Sequence, residues 1–270
     1  MKTYNNENIQ DEMPVMLIVE DDEDMRFFIS DHFSDAYRVH TAVNGSDGMR
    51  KALEIIPDII ISDVMMPEMS GIDMCRHLKE NKVSSHIPIV LLTARDSEMA
   101  VIEGYQVDAD DYISKPFSTD LLEVRTRNLL KNRKRLRDCF LAACLGNAVQ
   151  NKNNTGMDHQ FMNELTLFIE TNIDEPVLNV EKLSDKLNMS RVSLYRKIKS
   201  LTGLSVIEFI REYKIKKAAE LLLQSTYNVN EVCYKTGFTD VDYFRKCFKL
   251  QYGLSPKEYA CSKRVALRFV

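Results

Sequence analysis

Residues 59–63 read Ile-Ile-Ile-Ser-Asp, so a run apolar enough for a buried strand delivers a carboxylate, Asp63, to its own tip. The same grammar recurs nearby. Val-Met-Leu-Ile-Val at 15–19 is followed by Glu20, Asp21 and Asp22, Pro-Ile-Val-Leu-Leu at 88–92 by Thr93, and Asp-Tyr-Ile-Ser at 111–114 by Lys115 and Pro116. Carboxylates crowded together repel unless a cation neutralises them, and all-oxygen ligands favour a hard ion such as Mg2+. Lysine and threonine supply what a phosphoryl group needs: Lys115 can pair with one phosphoryl oxygen and the Thr93 hydroxyl can donate to another.

Such residues meet only if the chain brings their strand ends together. Short apolar runs at 15–19, 37–42, 58–62, 87–93 and 111–114 alternate with stretches of helical length, for example 23–33 and 70–80. Five strands alternating with five helices predict an α/β fold with a doubly wound, five-stranded parallel sheet covered on both faces. In such sheets the reactive groups collect beyond the carboxyl ends of the strands, which puts the acids, the hydroxyl and the ammonium on one rim. Asp22, Glu23 and Asp24 read instead as first-turn acids complementing a helix dipole.

With these residues in place, positions 14 to about 130 resemble the receiver domains of bacterial response regulators. The resemblance rests on Glu20 and Asp21, on Asp63 with the Met-Met-Pro-Glu-Met-Ser-Gly that follows at 65–71, on Thr93 thirty residues further on, on Tyr112, and on Lys115-Pro116-Phe117. It implies that Asp63 accepts a phosphoryl group from a histidine kinase or a histidine phosphotransfer donor. It also implies a Mg2+ held by Glu20, Asp21, Asp63 and the main-chain carbonyl of Met65, with Thr93 and Tyr112 as a switch pair. A magnesium phosphatase with an aspartate nucleophile is a rival reading, but it needs a second acid two residues after the nucleophile, where this chain has Met65. No turnover enzyme is therefore expected. The phosphoryl group would be a stored signal, adding about 1.5 to 2 negative charges.

The bulk composition agrees with two domains. The chain has 270 residues, 44% hydrophobic and 28% charged, and a net charge of −4 that is unevenly spread. Residues 1–132 hold 13 basic and 25 acidic side chains, net −12, whereas 133–270 hold 23 and 15, net +8. An acidic half joined to a basic half suggests two tasks, and the basic one invites a nucleic-acid partner. The longest apolar runs fall far short of the roughly 20 residues of a membrane helix, so no membrane contact and no signal peptide are expected. The six cysteines form no Cys-x-x-Cys pair and read as reduced thiols in a cytoplasmic protein.

The second half contains a repeat. An offset of 50 residues aligns 193–209 with 243–259, pairing Leu194 with Phe244, Arg196 with Lys246, Ile198 with Phe248, Lys199 with Lys249, and Gly203-Leu204-Ser205 with Gly253-Leu254-Ser255. Each copy reads as helix, short turn and helix, with Ser190 and Asp240 as N-caps of the second helices. Helical phase puts Leu194, Ile198 and Leu201 on one stripe of the first copy, with Val192, Arg196 and Lys199 opposite; in the second, Phe244 and Phe248 face inward and Asp242, Lys246 and Lys249 outward.

These units, over roughly 160–262, resemble the DNA-binding domain of the AraC family of transcription regulators. That implies an all-α domain with two helix-turn-helix motifs, joined by a long helix at about 206–223, whose second helices enter successive major grooves of double-stranded DNA. Val192, Tyr195 and Arg196, and Val241, Asp242 and Lys246, are then base-contact candidates; Arg191, Lys199, Arg245 and Lys249 are phosphate-contact candidates. Asp242 would repel phosphate, so it reads as an acceptor for cytosine N4 or a discriminator against wrong sites. Val192 and Val241 read equally as thymine-methyl contacts or as packing.

The expected organisation is a disordered lead-in at 1–13, a receiver at 14–132, a helical extension and linker at 133–158, an AraC-type domain at 159–262 and a tail at 263–270. The expected function is a phosphorylation-controlled, sequence-specific transcription regulator of a two-component system. It would form a phosphorylation-dependent homodimer, with RNA polymerase as a further partner. The same arrangement resembles the C-terminal part of hybrid sensors that join sensor, kinase, receiver and DNA-binding domain in one chain. A phosphate-gated adaptor whose helical repeats bind protein is the rival from another class.

Overall fold

The computed structural model describes residues 13–94, 108–145, 156–178, 180–224 and 226–267. The lead-in, the helix expected between the last two strands, and most of the linker lie outside the described residues. The chain divides into two compact units, Met1–Arg133 and Lys134–Val270.

In the first unit, β1 (Val15–Val19), β2 (Arg38–Ala42), β3 (Ile59–Asp63), β4 (Ile89–Ala94) and β5 (Asp111–Lys115) form one parallel sheet in the order β2-β1-β3-β4-β5. Helices α1 (Glu23–Phe33), α2 (Gly45–Ile55), α3 (Gly71–Glu80) and α4 (Thr119–Leu145) cover it. Alternation along each strand divides the core in two. Met16, Ile18, Ile59 and Ile61 pack with Ile29 and Phe33 of α1 and Leu122 of α4. Leu17, Val19 and Ile60 pack with Ala52 of α2 and Met74, Cys75 and Leu78 of α3. Both faces are therefore covered, and the central strands β1, β3 and β4 carry continuous apolar runs, whereas the edge strands β2 and β5 are more polar and partly exposed.

Register places the strand ends. Val19 pairs with Ser62, Asp63 with Leu92, and Ala94 with Lys115, so Glu20, Asp63, Thr93 and Lys115 all leave the sheet at one rim. Asp22 caps α1, its carboxylate accepting from the Met25 amide at 2.7 Å. That cap starts the helix one residue beyond the acidic pair and leaves Glu20 and Asp21 outside it.

The second unit is helical: α5 (Met157–Thr171), α6 (Val180–Lys186), α7 (Arg191–Thr202), α8 (Val206–Leu223), α9 (Val229–Lys235), α10 (Val241–Tyr252) and α11 (Pro256–Leu267). The repeat is written into its caps. Ser190 and Asp240 cap α7 and α10, and Gly203 and Gly253 end them in left-handed backbone at φ 78° and 73°, where a Cβ is penalised. Ser205 forms a capping box with Glu208 at the start of α8, and Ser255 and Glu258 exchange the same two hydrogen bonds at the start of α11. Helix α5 opens at Met157, and α11 continues to Leu267, into the stretch read from sequence as a tail. Among the described residues no helix is long and apolar enough to cross a membrane.

Candidate functional site

At the rim of the first unit, carboxylate oxygens of Glu20, Asp21 and Asp63 lie within 4.8 Å of one another. Glu20 is only 2% exposed and Asp63 8%, while Asp21 faces solvent. Lys115 reaches across from β5: its Nζ stands 2.8 Å from Glu20 Oε2 and 3.0 Å from Asp63 Oδ1. Burial pushes the Glu20 pKa up, against the hydrogen bond from Lys115. Burial alone would lower the Lys115 pKa, but its hydrogen bonds to Glu20 and Asp63 and their charges prevail and raise it. The lysine therefore keeps its proton and offsets part of the charge of the cluster.

The backbone around these groups is held from several sides. Arg26 Nη1 donates to the carbonyl oxygens of Glu20 at 2.7 Å and Asp21 at 3.2 Å. Ser62 Oγ donates to the Asp63 carbonyl at 2.8 Å, the Val64 amide bonds to Leu92 O at 3.0 Å, and the Gly71 amide to Val64 O at 3.0 Å. A Cβ on Gly71 would fall onto the Asp63 carbonyl oxygen. Composition gave no sign of this constraint on the Met-Met-Pro-Glu-Met-Ser-Gly segment, in which glycine lets α3 start against the backbone of Asp63.

The other rim residues take distinct positions. Thr93 is buried, and its hydroxyl donates to Ala94 O at 3.1 Å. Tyr112 is half-buried on β5 and packs against the core on the α2–α3 side of the sheet. Met65 is 73% exposed, which leaves the turn after β3 open to solvent beside Asp63. The donor set of the cluster is all oxygen, from three carboxylates, and two members, Glu20 and Asp63, are buried where an unscreened negative charge is costly. These residues fit a hard divalent cation.

In the second unit Arg191, Val192, Tyr195, Arg196 and Lys199 of α7 are all exposed, over a buried stripe of Leu194, Ile198 and Leu201. Arg191 pairs with Glu181 of α6. On α10, Asp242, Arg245, Lys246 and Lys249 are exposed. Val241 differs from Val192, because it is half-buried against the aromatic core formed by Phe238, Phe244 and Phe248. Asp242 lies 3.2 Å from Arg245 one turn on, so part of its role is to hold that guanidinium.

Two residues here had not been singled out. Lys197, inside the basic run of α7, is completely buried, with its ammonium 2.8 Å from Asp158 of α5 and over the ring of Phe161. Its spacing, three residues after Leu194 and four before Leu201, places it on the inner stripe and was the available signal. Tyr243, exposed on α10, is hydrogen-bonded to Arg211 of α8.

The chain thus joins a parallel sheet with an acidic, lysine-braced rim to a helical unit that carries duplicated helix-turn-helix motifs. Residues 16–127 match the family model described as response regulator receiver domain, and residues 183–261 match that of a helix-turn-helix domain. The chain carries a response regulator receiver domain fused to an AraC-type helix-turn-helix domain. Among curated relatives, Histidine kinase P4 of Formosa agariphila is 37% identical over 92% of this chain and 18% of its own length. Transcriptional regulatory protein AfsQ1 of Streptomyces coelicolor is 36% identical over 46% of this chain and 54% of its own. The chain thus spans less than two thirds of either relative. The solved receiver domain of a signal transduction histidine kinase from Syntrophus aciditrophicus matches 45% of this chain and 93% of that one, at 34% identity and a TM-score of 0.44.

Proposed function

We propose that Asp63 is the phosphoryl acceptor of a two-component system and that its modification controls sequence-specific DNA binding by the helix-turn-helix domain. The observation that carries this reading is the placement of Lys115 Nζ between Glu20 and Asp63, beside three clustered carboxylates at one sheet rim. An Asp63 oxygen attacks the phosphorus of a phosphohistidine donor, the nitrogen–phosphorus bond breaks, and the imidazole keeps the electron pair. Lys115 is within reach of the phosphoryl oxygens formed there and leaves Asp63 for them. A Mg2+ ion would be held by Glu20, Asp21, Asp63 and the Met65 carbonyl, and when bound it neutralises charge on the transferring group.

The aspartyl phosphate adds negative charge and acceptor oxygens at the end of β3, next to β4, whose Thr93 carries a donor hydroxyl. Thr93 turning from Ala94 O to the phosphoryl group, with Tyr112 following, is the proposed switch. Its output is the DNA affinity of α7 and α10, aided by receiver pairing that doubles the phosphate contacts. The net charge of +8 over 133–270 and the outward Arg196, Lys199, Arg245, Lys246 and Lys249 support double-stranded DNA as partner. We place the protein in the cytoplasm; as a stand-alone regulator or as a segment of a hybrid sensor it would do the same task, and a relative named as a histidine kinase matches 92% of this chain over 18% of its own length.

The test is incubation of the chain with a small phosphodonor and Mg2+. Wild type takes up acid-labile phosphate and Asp63→Asn does not; uptake by the variant refutes the assignment. For DNA, Arg196→Ala weakens binding to the preferred sequence by about 1 to 3 kcal/mol if Arg196 reads a base. An equal loss on every sequence makes it a phosphate contact.

A further inference from the structure

The two helix-turn-helix units are joined by more than α8. Lys214, in the middle of α8, is 5% exposed, and its ammonium donates to the Glu175 carbonyl at 2.6 Å. Glu175 belongs to the turn that follows α5. Gly237, in the turn between α9 and α10, closes over the same point: its φ is 70°, and a Cβ there would meet the Ile173 carbonyl, the Lys214 ammonium at 2.5 Å and the Glu175 carbonyl at 2.7 Å. Three segments far apart in sequence therefore converge on one buried ammonium. Burial lowers the Lys214 pKa, opposed by the nearby Asp174 and Glu175 charges, so the group sits here against a desolvation cost.

Each segment leads to a second helix of a motif. The Asp158–Lys197 pair fastens α5 to α7. Tyr213 and Lys217, the neighbours of Lys214 on α8, bond Glu170 near the end of α5 at 2.8 Å and 2.6 Å. On the other side, Phe238 next to Gly237 stacks edge-on against Phe244 of α10, with ring centroids 5.2 Å apart. A continuous path runs from α7 through α5, the Ile173 and Glu175 carbonyls, Lys214 and Gly237 to α10.

We propose that Lys214, seated under Gly237, is a positioning residue that fixes the separation and angle of α7 and α10, and through them the single half-site spacing the protein accepts on DNA. This rests on the reading that both helices enter DNA grooves. Two half-sites about one helical turn apart tolerate little error in that geometry. Methionine at 214 keeps the bulk but removes the donor, leaving the Glu175 carbonyl without its Lys214 partner and the joint free to slide.

The test is selection from a random-sequence duplex pool with the full chain. Wild type enriches a two-part motif with one gap; Lys214→Met enriches the same two halves with gaps spread over several base pairs. On a duplex with the gap changed by a few base pairs, wild type loses at least about ten-fold in affinity and the variant much less. A variant gap distribution identical to wild type, whatever its melting temperature, overturns the proposal, because a merely stabilising lysine would weaken all spacings alike. If Lys214→Met does not fold, Lys214→Leu, which also lacks a donor, is scored in the same way. Failure of wild type to enrich any motif overturns the DNA reading itself, and this inference with it.

Discussion

Lys197 Nζ lies 2.8 Å from Asp158 Oδ1, which ties the second helix of the first motif to the first turn of α5. The lysine is fully buried, so its charge depends on that carboxylate. Removing one partner of a buried pair costs roughly 3 to 5 kcal/mol, whereas removing both is often close to neutral. Asp158 keeps some solvent contact, which puts the cost at the lower end. Urea unfolding should show Asp158→Asn destabilised by about 3 kcal/mol and the Asp158→Asn, Lys197→Met double variant by clearly less than the sum of the singles. Additive losses would mean that the pair is incidental.

Magnesium should stabilise the receiver through the Glu20, Asp21 and Asp63 cluster. An ion that binds only the folded state adds about 1.4 kcal/mol at ten times its dissociation constant. Calorimetry of the full chain should show the receiver transition rising with MgCl2 in wild type, and rising much less in Glu20→Gln and Asp63→Asn. Equal shifts in all three would place the ion elsewhere.

The clustering of Glu20, Asp63, Thr93 and Lys115 at one rim was legible in sequence because a parallel sheet sends the residues at each strand's carboxyl end to one edge, and the central strands change from apolar to polar at that end. The inward and outward faces of α7 and α10 were legible from helical phase. What stayed hidden were groups whose type contradicts their place. Lys197 and Lys214 sit in basic runs that read as solvated faces, and only the tertiary contacts with Asp158 and Glu175 bury them. Gly71 gave no local cue either, because its constraint comes from the carbonyl of Asp63, eight residues earlier in the chain. The half-burial of Val241 is set by aromatic packing from the preceding turn, which periodicity within α10 does not report.

Gly71→Ala should damage the site without touching a functional group. The added methyl is driven into the backbone of Asp63 and approaches Ser62 Oγ at 2.9 Å, so either α3 or the end of β3 must shift. Overpacking of this kind costs about 1 to 3 kcal/mol. The expected result is a folded protein of lower stability whose phosphoryl uptake from a small phosphodonor falls well below wild type. Unchanged uptake would show that α3 yields instead of the acceptor strand.

Cys75 supplies a pH dependence whose sign follows from burial. The thiol on α3 is completely buried, and desolvation pushes its pKa from 9.0 up to about 12. The folded receiver therefore keeps a proton that the unfolded chain releases near pH 9. Its contribution to stability is complete below that value and is lost as pH rises from about 9 towards about 12, by at most roughly 1.4 kcal/mol per pH unit. Cys75→Ala should flatten the alkaline fall in unfolding free energy by that slope. Peptide mass spectrometry after iodoacetamide treatment near pH 9 should find Cys261, which is exposed, alkylated and Cys75 untouched until urea is added. Rapid alkylation of Cys75 in the native protein would show that α3 opens locally, and the alkaline slope would then have to come from other groups.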